Sequence, residues 1–137
     1  MSRRDAEMAR RTLNRANLRG ANLAGANLVR GNLKGANLVG ANLCGANLNE
    51  AALQEADLSE ANVRDAKFRR ANLAGTDFSR ADVQFADFKG ADLSSARNIT
   101  AAQLKSAKID QSTKLPLSIE KELARMNAME EEEEEEN

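Results

Sequence analysis

The stretch Ala21-Asn22-Leu23-Ala24-Gly25-Ala26-Asn27-Leu28-Val29-Arg30-Gly31-Asn32-Leu33 carries the rhythm that decides the fold. Every fifth residue from Leu13 to Leu93 is apolar: Leu at twelve positions, Val63 and Val83, and Phe68, Phe78 and Phe88. Two residues before each centre, from Ala16 to Ala96, stands Ala, except for Gly31 and Thr76. The residue between is mostly Asn or Asp. A repeat this strict sets the architecture and leaves few positions for chemistry.

A period of five fits neither common element. In an α-helix five residues advance about 500°, so successive leucines drift roughly 140° around the axis and form no stable face. In a flat strand five is odd, so successive leucines point to opposite faces. All the leucines can face inward only if the chain turns a corner in every repeat. Seven of the eight glycines (Gly20, Gly25, Gly35, Gly40, Gly45, Gly75, Gly90) sit two residues after a centre, where a corner needs a permissive backbone.

This Ala-(Asn/Asp)-Leu-x-x pattern resembles the pentapeptide-repeat family over residues 11–97, with seventeen consecutive centres. The resemblance implies an all-β solenoid: a right-handed quadrilateral β-helix in which four repeats make one square coil. Just over four coils follow, in a tower about 20 Å tall at strand spacing. The centre and the small residue would point inward, the other three positions outward. Residues twenty apart then stack, giving the interior columns Leu13-Leu33-Leu53-Leu73-Leu93, Leu18-Leu38-Leu58-Phe78, Leu23-Leu43-Val63-Val83 and Leu28-Leu48-Phe68-Phe88. Alanine is expected beside them because larger side chains would overpack a narrow interior.

The expected organisation is a helical N-terminal cap (1–12), the β-helix (13–97), a capping segment (98–116), an amphipathic helix (117–129) and a disordered acidic tail (130–137). Ser2 and Asp5 form a capping-box-like pair, and Thr100-Ala101-Ala102-Gln103 is a capping box opening a short helix. Ile119, Leu123 and Met126 follow helical spacing. They would either cover the last coil or dock on a partner, including a second copy of the chain. Caps are needed because an open stack exposes unpaired backbone and apolar surface.

The chain has 137 residues, room for one domain, with 3% aromatic residues and no Trp, Tyr or His. The lone Cys44 permits no internal disulfide, and the chain contains no apolar run long enough to span a membrane. A cytoplasmic protein is expected, with the mature form of a targeted precursor left open. The formal charge of −1 is unevenly spread: residues 1–49 carry +6, residues 50–95 carry −3, residues 96–129 carry +3 and Glu130–Glu136 carry −7.

Without His, the commonest neutral-pH general base is missing. No Ser or Cys stands in a base-and-orienter pattern, the glycines follow the corner period rather than a phosphate loop, and no metal-ligand spacing occurs. The expectation is no enzyme and no cofactor. Among outward residues, Arg30, Glu50 and Arg70 should stack, Glu60 should face Arg80, and Lys67 should face Asp87. Arg64, Lys67, Arg69, Arg70 and Lys89 suggest a basic cluster that could take an acidic partner. Phe85 occupies an outward corner and is a candidate interface anchor.

The leading functional reading is a non-catalytic structural or interaction module: a rigid rod that binds a protein partner. The alternative, implied by the resemblance, is a duplex-mimicking binder of DNA gyrase that protects it from quinolones or toxins. The basic first half, the short tower and the lack of projecting loops depart from that type, although Asp77, Asp82, Asp87 and Asp92 form an acidic band. Direct nucleic-acid binding by Arg3, Arg4, Arg10, Arg11, Arg15, Arg19, Arg30 and Lys34 would be salt-sensitive. It is disfavoured because no aromatic stacking platform accompanies these residues.

Overall fold

The computed structural model describes residues 13–136, with side chains to residue 134; the cap expected over 1–12 lies outside them. Each repeat turns once. In the first, the Ala16 N–H donates to the Leu13 carbonyl at 3.0 Å, and the corner residue Arg15 has φ +60°. Negative φ before the corner and positive φ at it define a type II turn. The left-handed conformation recurs at every corner from Arg15 to Gly90. Glycine adopts it freely at Gly40 (φ +67°), whereas Glu50, Asp65, Arg70 and Phe85 adopt it against the preference of their side chains.

The turns stack with a twenty-residue register, through parallel single-residue bridges such as Asn22↔Asn42↔Asn62↔Asp82. Each side of a coil is therefore one bridging residue rather than an extended strand. Within a regular repeat of a full coil all five backbone N–H groups have acceptors. In the repeat Ala36–Gly40, Ala36 donates to Leu33 O, Asn37 to Ala16 O, Leu38 to Asp57 O and Gly40 to Ser59 O. The fifth donor, Val39 N–H, goes to the side-chain Oδ1 of Asn37 at 3.1 Å.

That last bond explains the Asn/Asp column. The carboxamide or carboxylate accepts from the N–H two residues on, an Asx turn repeated from Asn17 to Asp92. Two positions lack such a residue. At Lys67 the vacancy is filled from the preceding coil, where Asn49 Oδ1 accepts from the Arg69 N–H at 2.9 Å. At Ala52 nothing among the described residues takes the Gln54 N–H, and the buried Gln54 Oε1 is unpartnered as well.

The interior follows the expected columns. Centres from Leu28 to Leu93 and the alanines between them are buried, while Leu13, Leu18 and Leu23 in the first coil are only partly so. Phe68 stacks on Phe88 at 5.1 Å, and Phe78 meets Phe88 edge-on at 6.0 Å. Thr76, buried at an alanine position, donates its hydroxyl to Leu53 O at 2.7 Å, so no polar atom is stranded.

After Ala96 the beat stops and the chain closes the stack. Helix α1 (Ala101–Lys105) opens on a capping box between Thr100 and Gln103. The bridges resume with one and then two extra residues, Asp87↔Lys108 and Asp92↔Lys114. Helix α2 (Leu117–Glu136) follows. It runs through the acidic stretch, where the sequence suggested an end at 129 and a disordered tail. Glutamate is a good helix former, and a helix already nucleated by its docked first turns gains a bond with each further residue. Lys105 also pairs with Glu130.

Ala52→Asn should supply the missing Asx acceptor and raise stability by about 0.5–1 kcal/mol, while Asn62→Ala should lower it by a similar amount. Urea unfolding checks both; no gain from Ala52→Asn would contradict the role given to this column.

Candidate functional site

The outward ladders form largely as the sequence suggests. Glu50 is held between Arg30 (2.8 Å) and Arg70 (3.7 Å), and Arg80 reaches Glu60 at 3.2 Å. Lys67 and Asp87 bridge through their backbones, but the Asp87 carboxylate takes Arg69 Nε at 2.7 Å instead. Arg64 reaches Asp82 at 3.3 Å and Gln84 at 3.0 Å. Of the cluster expected from Arg64, Lys67, Arg69, Arg70 and Lys89, the three arginines are thus drawn into ion pairs. Acidic residues eighteen or twenty positions away come level with three of its arginines, and Lys89 lies in the field of Asp87 and Asp110.

The acidic band is matched in the same way. Asp77 accepts from Asn98 Nδ2 (3.0 Å) and Arg97 (3.2 Å), and Asp92 accepts from the Ser94 hydroxyl and N–H. These contacts hold the Asp77 and Asp92 carboxyls below the ordinary aspartate range. At Asp87 burial pushes the carboxyl up, but the Arg69 guanidinium and the Lys89 N–H outweigh it, so its value is also lowered.

Ile119, Leu123 and Met126 lie against the end of the coil stack. Leu123 is buried, and the other two pack against the core cluster with Leu104, Ala107 and Ile109. Of the two expectations for this face, the packing fits covering of the last coil: an open coil end needs covering, and α2 puts its apolar stripe there. The large apolar side chains left outward are Phe85 (51% exposed), Leu117 (66%) and Met129 (57%). Phe85 is fixed at the capped end by its positive φ and by its N–H, which donates to Ser106 O at 2.7 Å.

The cap is built more precisely than its motif suggests. Gln103 Oε1 accepts from the Thr100 N–H, closing the box, while Nε2 donates to the carbonyls of Phe78 and Ala81, both at 3.1 Å. Thr113 Oγ1 donates to Phe88 O at 3.0 Å. The capping box was readable in the sequence; the reach of Gln103 and Thr113 to carbonyls over twenty residues back was not. Among the described residues no Cys, Asp and Glu cluster has the form of a metal site, and no helix is long and apolar enough to cross a membrane.

Compared with known protein families, the chain matches pentapeptide repeats over residues 4–38, 12–49, 32–65 and 56–94. It belongs to the pentapeptide repeat family. Such proteins form right-handed quadrilateral β-helices, consistent with the stacked square turns seen here. Among solved structures it is similar to HetL, a pentapeptide repeat protein involved in heterocyst differentiation regulation from the cyanobacterium Nostoc sp. strain PCC 7120. They share 32% identity over 74% of this chain and 60% of HetL, with a TM-score of 0.37. The chain therefore spans well under the full length of HetL. It is also similar to AT2G44920 from the Arabidopsis thaliana thylakoid lumen, at 30% identity over 73% of this chain and 79% of that one, TM-score 0.33. Full-length QnrB1, a plasmid-mediated fluoroquinolone resistance protein, shares 20% identity over 82% of this chain and 64% of its own, TM-score 0.37. No curated protein matches.

Carboxyls with lowered native values add stability that is present above the unfolded aspartate value of about 3.9 and is lost as pH falls through the lower native values. Thermal unfolding midpoints should therefore stay level down to about pH 5 and drop below about pH 4, and Asp77→Asn or Asp87→Asn should each shrink the drop. An equal drop in both variants would remove these carboxylates from the account. Leu123→Ala should cost about 2 kcal/mol and speed hydrogen exchange in α2 before the coils.

Proposed function

We propose that this pentapeptide repeat protein is a non-catalytic interaction module, a rigid rod that docks a protein partner at its capped end. The observation that carries this reading is Phe85. A bulky aromatic in the left-handed region is an outlier, at a corner where seven other repeats place Gly. Its ring is half exposed, so the fold gains little packing in return for a backbone strain of about 1–2 kcal/mol. Strain of this kind, held in place by surrounding structure, is a reason to look for function, and exposed aromatics are frequent interface anchors. Leu117 and Met129 on α2 offer further apolar contact for a partner or a second copy of the chain. A reducing, cytoplasmic setting suits the single free thiol of Cys44.

The gyrase-binding alternative needs free acidic charge. Here Asp77, Asp82 and Asp87 are each matched by an arginine, which makes this rod a poor copy of a duplex.

Phe85→Gly should leave the fold at least as stable in urea, because glycine relieves the corner, and yet abolish capture of the partner from an extract of the source cell. Retention of the same partner by Phe85→Gly would overturn the reading; recovery of gyrase subunits would replace it with the alternative.

A further inference from the structure

The four columns of bridges do not end alike. Those through Asp77, Asp87 and Asp92 continue into the cap at Arg97, Lys108 and Lys114. The column Asn22-Asn42-Asn62-Asp82 stops at Asp82, because the chain that would supply the next rung coils into α1. An open groove is left there, lined by Arg80, Ala81, Val83, Gln84, Ala102 and Gln103, among others.

Two main-chain donors in this groove lack acceptors. Phe78, Phe88 and Leu93 donate their N–H groups to the cap carbonyls of Arg97, Lys108 and Lys114; among the described residues Val83 has no counterpart, and neither has Arg80. One coil earlier, the equivalent donors Glu60 and Val63 bond to the carbonyls of Ser79 and Asp82. The acceptor on the same edge, Ala81 O, is already taken by Gln103 Nε2. The groove therefore calls for carbonyls three residues apart, as one side of a coil presents them. Its charges are settled as well: Arg80 pairs with Glu60, and Asp82 with Arg64. An anionic ligand would have to compete with Glu60 for Arg80.

We propose that this groove binds an extended, uncharged peptide segment of a partner protein, which adds the missing rung to the Asp82 column by main-chain pairing with Arg80 and Val83. This is strand addition at an open sheet edge. Ala81, Val83 and Ala102 form the apolar part of the lining. The proposal rests on the reading of the rod as an interaction module and gives that module a second contact beside Phe85.

The test uses the full chain and a blocked peptide, Ala-Asn-Leu-Val-Gly-Ala-Asn-Leu, copied from residues 36–43. Its carbonyls at Val39 and Asn42 receive Gly20 and Leu23 in the same column. Amide signals are followed by NMR during titration to millimolar peptide. The Arg80 and Val83 amides should shift and exchange with solvent at least tenfold more slowly. Ala102→Trp, at an exposed position that fills the groove, should abolish both effects. Unmoved Arg80 and Val83 amides, or equal shifts in Ala102→Trp, would overturn the proposal, as would equally large shifts with inorganic phosphate, which would mark an anion site instead. Loss of partner capture in Phe85→Gly without peptide binding would sink the groove and leave the module reading standing.

Discussion

Everything in this molecule depends on pairing five backbone N–H groups in every five residues. Three bonds run between coils, one closes the corner and one goes to an Asn or Asp side chain. A buried N–H without an acceptor costs as much as a lost hydrogen bond, so a rod built of corners survives only if each corner repeats the same solution. The inward Leu and Ala supply the burial that favours the coil; the N–H pairing decides which coil. The left-handed corner recurs with it, from Arg15 to Gly90.

The exceptions to this pairing are where the molecule departs from a plain rod. Gln54 is a local defect left by Ala52. Arg80 and Val83 are unpaired where the cap leaves the coil path. Phe85 satisfies its N–H through Ser106 but carries a side chain that the corner does not favour. The last two departures lie in neighbouring repeats at the capped end, and elsewhere that end is closed with care by Gln103, Thr113 and Leu123. The combination of a well-covered end with one strained aromatic and one open edge supports a docking role there.

Much of this was legible in the sequence. The five-residue beat dictates corners, and with the family resemblance it gives the columns, the stacked phenylalanines and the Arg30-Glu50-Arg70 and Glu60-Arg80 ladders. Two kinds of information were missing. Side chains choose diagonal partners: Arg69 reaches Asp87 rather than stacking on Lys89, and Arg64 reaches Asp82, so arginines of a cluster read from adjacency are drawn into ion pairs. The cap depends on contacts across more than twenty residues, which no local pattern displays. The same limit hid the destination of Ile119, Leu123 and Met126, whose spacing shows an apolar face but not what covers it. The structure continues α2 through the glutamate run, past the end at 129 that the sequence suggested.

The most direct test is a solution NMR map of scalar couplings across hydrogen bonds, which reports which amide pairs with which carbonyl. The account requires couplings from the amide of each centre between Leu18 and Phe78 to the carbonyl nineteen residues later, such as Leu43 to Asn62. Couplings at any other offset, or their absence from these centres, would contradict the stacked square coil and everything built on it.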